Sequence, residues 1–180
     1  MFNPAKIPTL VFWVRLSKVL ILLFFSLYFL LTALDNVLDY EANFQFVHHI
    51  LFMDSIPQGS PLHSRAWKSH NLELLIYNCL IAWEGSCGSI LFWGTGLLFK
   101  NLFRSREDFH RAKSWGTIGL FLGLCGWLFF FILGGGEWFQ MWRSPAFNAL
   151  PQAFRMAILT LVFFFFFVQP EPEENRFLQM

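Results

Sequence analysis

The sequence predicts an all-α membrane protein, a four-transmembrane-helix bundle with short interfacial helices in its first outer loop. Three observations lead there: the composition, four long apolar stretches, and the uneven placement of lysine and arginine. Hydrophobic residues make up 56% of the chain and charged ones 14%, against roughly 45–50% and 25% in ordinary globular proteins. With 25 phenylalanines and 8 tryptophans in 180 residues, a water-soluble fold could not hide its aromatic surface, because small domains keep a high surface-to-volume ratio. Lipid as solvent removes that difficulty.

A spanning helix needs about 20 mostly apolar residues, and four segments provide them. The first covers about residues 11–34, with Arg15 and Lys18 near its start. Basic residues before an apolar run resemble a signal peptide, but no small-x-small pattern closes the run, so an uncleaved anchor is expected. The second, about 72–99, carries Glu84 deep inside, and the third, 114–133, has no charge. The fourth must start near Leu150 to be long enough, which brings Arg155 inside its outer boundary; it runs to about 169, through five phenylalanines, before Pro170 stops it. Residues 1–169 thus form the transmembrane domain, with outer loops 35–71 and 134–149, and residues 170–180 an acidic cytoplasmic tail.

Orientation follows from the basic residues. Lys6, Arg15, Lys18, Lys100, Arg104, Arg106, Arg111, Lys113 and Arg176 fall on one side, and only Arg65, Lys68, Arg143 and Arg155 on the other. Both termini are therefore expected in the cytoplasm. Trp13, Trp93 and Trp115 then mark the inner interface and Trp67, Trp138 and Trp142 the outer one.

In the first outer loop, Phe46, Val47, Ile50, Leu51 and Met53 recur at helical spacing, which predicts a helix over 43–53 on the membrane surface. Ser60-Pro61 reads as an N-cap followed by proline at the first helical position, opening a helix that leads into the second span. In the second outer loop, Gly134-Gly135-Gly136 reads as a hinge before an aromatic stretch.

Helix packing has a visible signature. Gly116, Gly119, Gly123 and Gly126 form one stripe on the third span, and Gly85 and Gly88 lie at similar depth on the second. Small residues let helix backbones approach in lipid, so these two helices are expected to pack closely.

Glu84 is the sharpest single residue, because an intramembrane carboxylate is costly unless protonated or paired. Arg155 is its expected partner. The readings open to Glu84 are a structural ion pair or a protonated, hydrogen-bonded carboxyl fixing the bundle, proton or ion handling, and a ligand or partner contact. The outer histidines His48, His49, His63 and His70 lie near Asp35, Asp39, Glu41 and Glu73. His63 and His70 share a face only if one helix carries both, and adjacent His48 and His49 point about 100° apart on a helix, at 3.6 residues per turn. No His-Glu-x-x-His is present, so solvated interfacial histidines are the leading reading, with His63 and His70 as the weak candidates for a metal. Cys79, Cys87 and Cys125 sit in apolar segments without a Cys-x-x-Cys pair, which argues against disulfide exchange. No catalytic set is recognisable, no cofactor is implied, and a net charge of +1 gives no reason to expect nucleic acid as a partner.

Several strings are distinctive: Asp35-Asn36-Val37-Leu38-Asp39-Tyr40, Asn43-Phe44-Gln45-Phe46-Val47-His48-His49, Met53-Asp54, Ile81-Ala82-Trp83-Glu84, Gly135-Gly136-Glu137-Trp138-Phe139-Gln140-Met141-Trp142 and Ala153-Phe154-Arg155. Through them the chain resembles a bacterial family of predicted small integral membrane proteins, domain of unknown function 2165. The resemblance implies a four-helix inner-membrane protein and no particular activity. Its motif residues, Asp39, Tyr40, Asn43, His49, Asp54, Glu137, Trp138, Trp142 and Arg155, point to a functional surface facing outward, with Glu137 as an alternative partner for Arg155. The leading expectation is a non-enzymatic accessory component that binds another membrane protein or a second copy of itself within the bilayer. The alternatives are a small transporter or ion-coupled protein using Glu84, and an outer-face metal or ligand site.

Overall fold

Residues 9–172 are described by the computed structural model, and among them every regular element is helical. Lys6, Arg176 and the tail beyond Pro172 lie outside the described residues. Helix α1 spans Leu10–Leu38, α2 Tyr40–Phe52, α3 His70–Lys100, α4 Arg106–Cys125 and α5 Leu150–Val168. Beyond Cys125, α4 continues in wider π-type turns over Gly126–Trp138, and two short 3₁₀ segments, Pro61–Arg65 and Met141–Arg143, punctuate the loops. Among the described residues, four helices are long and apolar enough to cross a membrane: Leu10–Leu38, His70–Lys100, Arg106–Trp138 and Leu150–Val168. Even the shortest, with 19 residues, reaches about 28 Å at 1.5 Å per residue, close to the hydrocarbon thickness.

Each helix has an inner and an outer face. Along α1, Leu22, Phe25, Phe29 and Ala33 are buried, while Leu20, Phe24, Leu27 and Leu31 are exposed where lipid would meet them. The phenylalanine run divides in the same way: Phe163 and Phe167 are buried and Phe165 is exposed. Phe25 stacks on Phe163 at 5.5 Å between ring centroids, joining α1 to α5.

Glycines set the spacing of α1, α3 and α4. A Cβ on Gly94 would lie 2.7 Å from the backbone nitrogen of Gly116, so α3 and α4 meet backbone to backbone there. Gly119 receives Leu91 of α3, Gly123 receives Phe29 of α1, and Gly126 receives the Trp83 indole. Gly88 instead admits Leu30 of α1, and Gly85 faces Ala33. The second and third spans do pack closely, but through Gly94; Gly85 and Gly88 serve the α1 contact.

Two expected loop features take a different form. The segment begun at Ser60, whose hydroxyl accepts from the Leu62 N–H at 3.4 Å, ends at Arg65 and does not run on into α3. Residues 66–69 are extended because the Trp67 N–H donates to the Leu51 carbonyl at 2.8 Å and the Trp67 ring packs on Phe139. The triple glycine is no hinge either. It is wound into the end of the third span, where the Phe139 N–H donates to the Gly134 carbonyl at 3.0 Å and Gly136 admits Leu150 of α5. Helix α2 forms close to its expected place, and its apolar side joins Met53, Ile56, Phe139 and Ile76 in a small core above the bundle.

At the opposite end, Arg15, Lys18, Lys113 and Glu171 are buried. Lys18 and Lys113 both donate to the Gln169 carbonyl, at 2.6 and 2.8 Å, and both pair with Glu171 Oε1, at 3.1 and 2.6 Å. Arg15 donates to the Leu102 and Arg104 carbonyls and lies over the Phe109 ring. These contacts clasp α1, the α3–α4 turn, α4 and the end of α5 together. Burial pushes the Glu171 carboxyl up, but hydrogen bonds and charge from Lys113 and Lys18 outweigh it and hold the group below its ordinary 4.5.

Two stability predictions follow from this packing. Gly94→Leu should destabilise the detergent-solubilised protein by about 1–3 kcal/mol through overpacking, whereas Gly96→Leu, with open space around it, should not lower the melting temperature. Glu171→Gln leaves two buried ammonium groups without a counter-ion and should cost about 3–5 kcal/mol. Because the folded-state pKa of Glu171 is depressed, its stabilisation is present above pH 4.5 and fades as the pH falls through the folded value. Thermal melts of wild type and Glu171→Gln between pH 3 and 7 should therefore converge at the acid end.

Candidate functional site

The cap above the bundle gathers the outer-loop polar residues, beginning with the last turn of α2. Met53 ends that helix in the left-handed conformation, φ 53° and ψ 28°. This turns the chain back so that Asp54 returns alongside the two histidines preceding it. His49 Nδ1 lies 2.8 Å from Asp54 Oδ1, and His48 Nε2 lies 4.0 Å from Asp54 Oδ2. The other nitrogen of His48 is 2.5 Å from Glu73 Oε1, and His70 Nδ1 is 3.3 Å from Glu73 Oε2. Glu73, in the first turn of α3, is only 1% exposed.

Aromatic rings wall the two imidazoles. The His48 ring lies tilted against Phe52 and His49 stacks on Phe147, each at 4.2 Å between centroids. Adjacent histidines on a helix diverge, yet these rings stand 5.2 Å apart because both turn toward the reversed chain. His63 and His70 are not brought onto one helix face. The break at 66–69 separates them, and His63 Nε2 contacts the Pro57 carbonyl instead.

The remaining outer residues are dispersed around this cluster. Asp39 caps α1 and is exposed, as is Asn43 on α2. The Tyr40 ring meets Tyr77 edge-on at 4.7 Å, and its hydroxyl accepts from the Asn78 amide. The Glu137 side chain is exposed, and its backbone carbonyl accepts from the Gln140 amide and from Arg65. Arg65 lies over the Trp138 ring at 5.2 Å and Arg143 over Trp142 at 5.9 Å. Arg143 also donates to the Ser60 hydroxyl at 2.9 Å, tying the second outer loop to the first.

Inside the bundle, Glu84 does not pair with Arg155. It accepts at 2.7 Å from the Asn36 amide, while the Tyr77 hydroxyl donates to the Asn36 carbonyl at 3.2 Å. Arg155 is exposed and donates to Gln152, one turn earlier in its own helix. It is not paired with Glu137. The first span was expected to end at Leu34; helix α1 continues to Leu38 and so carries Asn36 to Glu84. Sequence reasoning thus missed Asn36, together with the structural weight of Glu73 and Glu171. Asn36 stands one turn from Ala33 on the buried face of α1, and that periodicity was the available signal.

Glu84 adjoins a cavity of about 10 Å³ lined also by Trp83, Trp127, Phe29 and Phe130. That is about the space of one water-sized probe. Chemically, the interior offers a hydrogen-bonded carboxyl in a filled setting. The cap offers imidazole nitrogens and carboxylates converging on one point.

No curated protein and no solved structure matches the chain. The four apolar helices and the cap fall almost wholly within residues 14–170, the stretch matched by one family's sequence profile. By that match the chain belongs to the family of predicted small integral membrane proteins, domain of unknown function 2165.

Proposed function

We propose that the protein is a non-enzymatic accessory component of the bacterial inner membrane, which binds another integral membrane protein through its cap. Both termini then lie in the cytoplasm and the cap on the outer side, in keeping with the excess of basic residues toward the termini. The observation that carries the reading is a tied-down cap that nonetheless presents large aromatic surface. Trp67, Trp138 and Trp142 are 41%, 47% and 54% exposed. Two of them lie under arginines, and tryptophan and arginine are the residues most enriched where proteins bind one another.

The surroundings of Glu84 support the same choice. A carrier needs a substrate site near the midplane at the junction of moving helices. Glu84 lies instead beside a cavity of about 10 Å³, hydrogen-bonded to Asn36.

Purification of the tagged chain at native expression level in mild detergent, with mass spectrometry of what accompanies it, tests the proposal. A reproducible stoichiometric membrane protein is expected. Trp138→Ala with Trp142→Ala should reduce its recovery by about tenfold or more, as loss of an interfacial hot spot does, with no change in melting temperature. Recovery of the chain alone, or only with copies of itself, would overturn the proposal. Glu84→Gln should retain both fold and partner, because a glutamine carbonyl still accepts from Asn36. Ion-dependent uptake into proteoliposomes by wild type that Glu84→Gln abolishes would instead establish the transport reading.

A further inference from the structure

We propose that His48, His49 and Asp54 form a site for a divalent transition ion of the zinc class, held by His48 Nε2, His49 Nδ1 and an Asp54 carboxylate oxygen. The site is independent of partner binding and rests on the cap geometry alone. One ligand atom from each residue lies within 4.8 Å of the others. Zinc bonds of about 2.0–2.2 Å hold their ligand atoms about 3.3–3.6 Å apart, so closing the site takes a shift of about an ångström. Asp54, on the turn beyond the left-handed Met53 and 44% exposed, is placed to make that shift.

The electrostatics of the cluster favour a cation at this point. Buried Glu73 accepts from His48 Nδ1–H, so neutral His48 carries its lone pair on Nε2. In that tautomer Nε2 faces the Asp54 carboxylate 4.0 Å away, so the two can donate to one cation. Histidine ligands of metals commonly donate their second ring N–H to a carboxylate, which fixes the tautomer and ring angle. Glu73 holds that place for His48. His49 becomes a ligand by moving its proton from Nδ1 to Nε2, with no net loss of charge, and Phe147 keeps its plane.

The donor set selects the ion. Two imidazoles and a carboxylate suit zinc, nickel or copper(II), while calcium and magnesium want six or more oxygens and copper(I) wants sulfur. Asp54 and Glu73 together neutralise a divalent charge. The histidines are about 30% exposed, which leaves the remaining coordination positions to water.

The test is zinc titration of the full-length protein in detergent, carrying a histidine-free tag, by calorimetry and by metal analysis after dialysis. One Zn²⁺ per chain is expected. His49→Ala and Asp54→Asn should each weaken binding at least tenfold, and Glu73→Gln should weaken it about 10–100-fold through the outer shell. His63→Ala and His110→Ala should leave it unchanged. Asp54→Asn alters one exposed side chain, so its effect is readable even if the histidine variants fold poorly. Absence of stoichiometric zinc, or binding that survives Asp54→Asn but is lost in His63→Ala or His110→Ala, would overturn the proposal.

Discussion

Helices in lipid are not driven together by apolar burial, since the solvent around them is as apolar as their own side chains. The bundle therefore depends on close approach, and the contact that makes it possible is Gly94 against Gly116. With side chains removed on both sides, α3 and α4 touch through their backbones, and dispersion between well-fitted surfaces accumulates along the line of contact. Leu91 seats in Gly119, Phe29 in Gly123 and Trp83 against Gly126, which continues the close contact toward the cap. Helix α1 closes over the same seam through Leu30 at Gly88 and Leu22 at Gly116.

Polar groups finish the fit at three levels. Mid-bundle hydroxyls such as Ser26 and Thr95 donate to backbone carbonyls, and Glu84, Asn36 and Tyr77 satisfy one another between α1 and α3. At the terminal end, Glu171 holds Lys18 and Lys113 against the Gln169 carbonyl. This clasp converts two charges that ordinarily mark the membrane surface into internal ties between α1, α4 and α5. At the other end, the cap is bound down by Trp67 on Leu51, Arg143 on Ser60, and the His48–Glu73 contact, which joins α2 to α3. The cap is thus tied within itself and to α3, which holds its exposed tryptophans and converging imidazoles in place.

Much of this was legible in residues taken one element at a time. Four apolar stretches become four spans, the five phenylalanines split by helical period, and the glycine stripe of the third span lies on its packed face. Length, apolarity and periodicity are local properties, so the chain alone determines them. Family membership is legible in the same way, from contiguous strings such as Gly135-Gly136-Glu137-Trp138.

Polar pairings between elements were not legible. Arg155 looked like the partner of Glu84 because both are charged within spans, yet one further turn of α1 brings Asn36 there instead. The acidic tail gave no sign of a partner within the bundle, yet α5 ends where Glu171 meets two lysines. His48 and His49 looked divergent until the left-handed Met53 brought Asp54 back to both. The sequence by itself determined how many spans there are, where each is centred and which face of each is apolar. The tertiary structure decided which polar groups meet, because a meeting depends on helix rotation, on exact depth and on where a turn reverses, none of which is written in local periodicity.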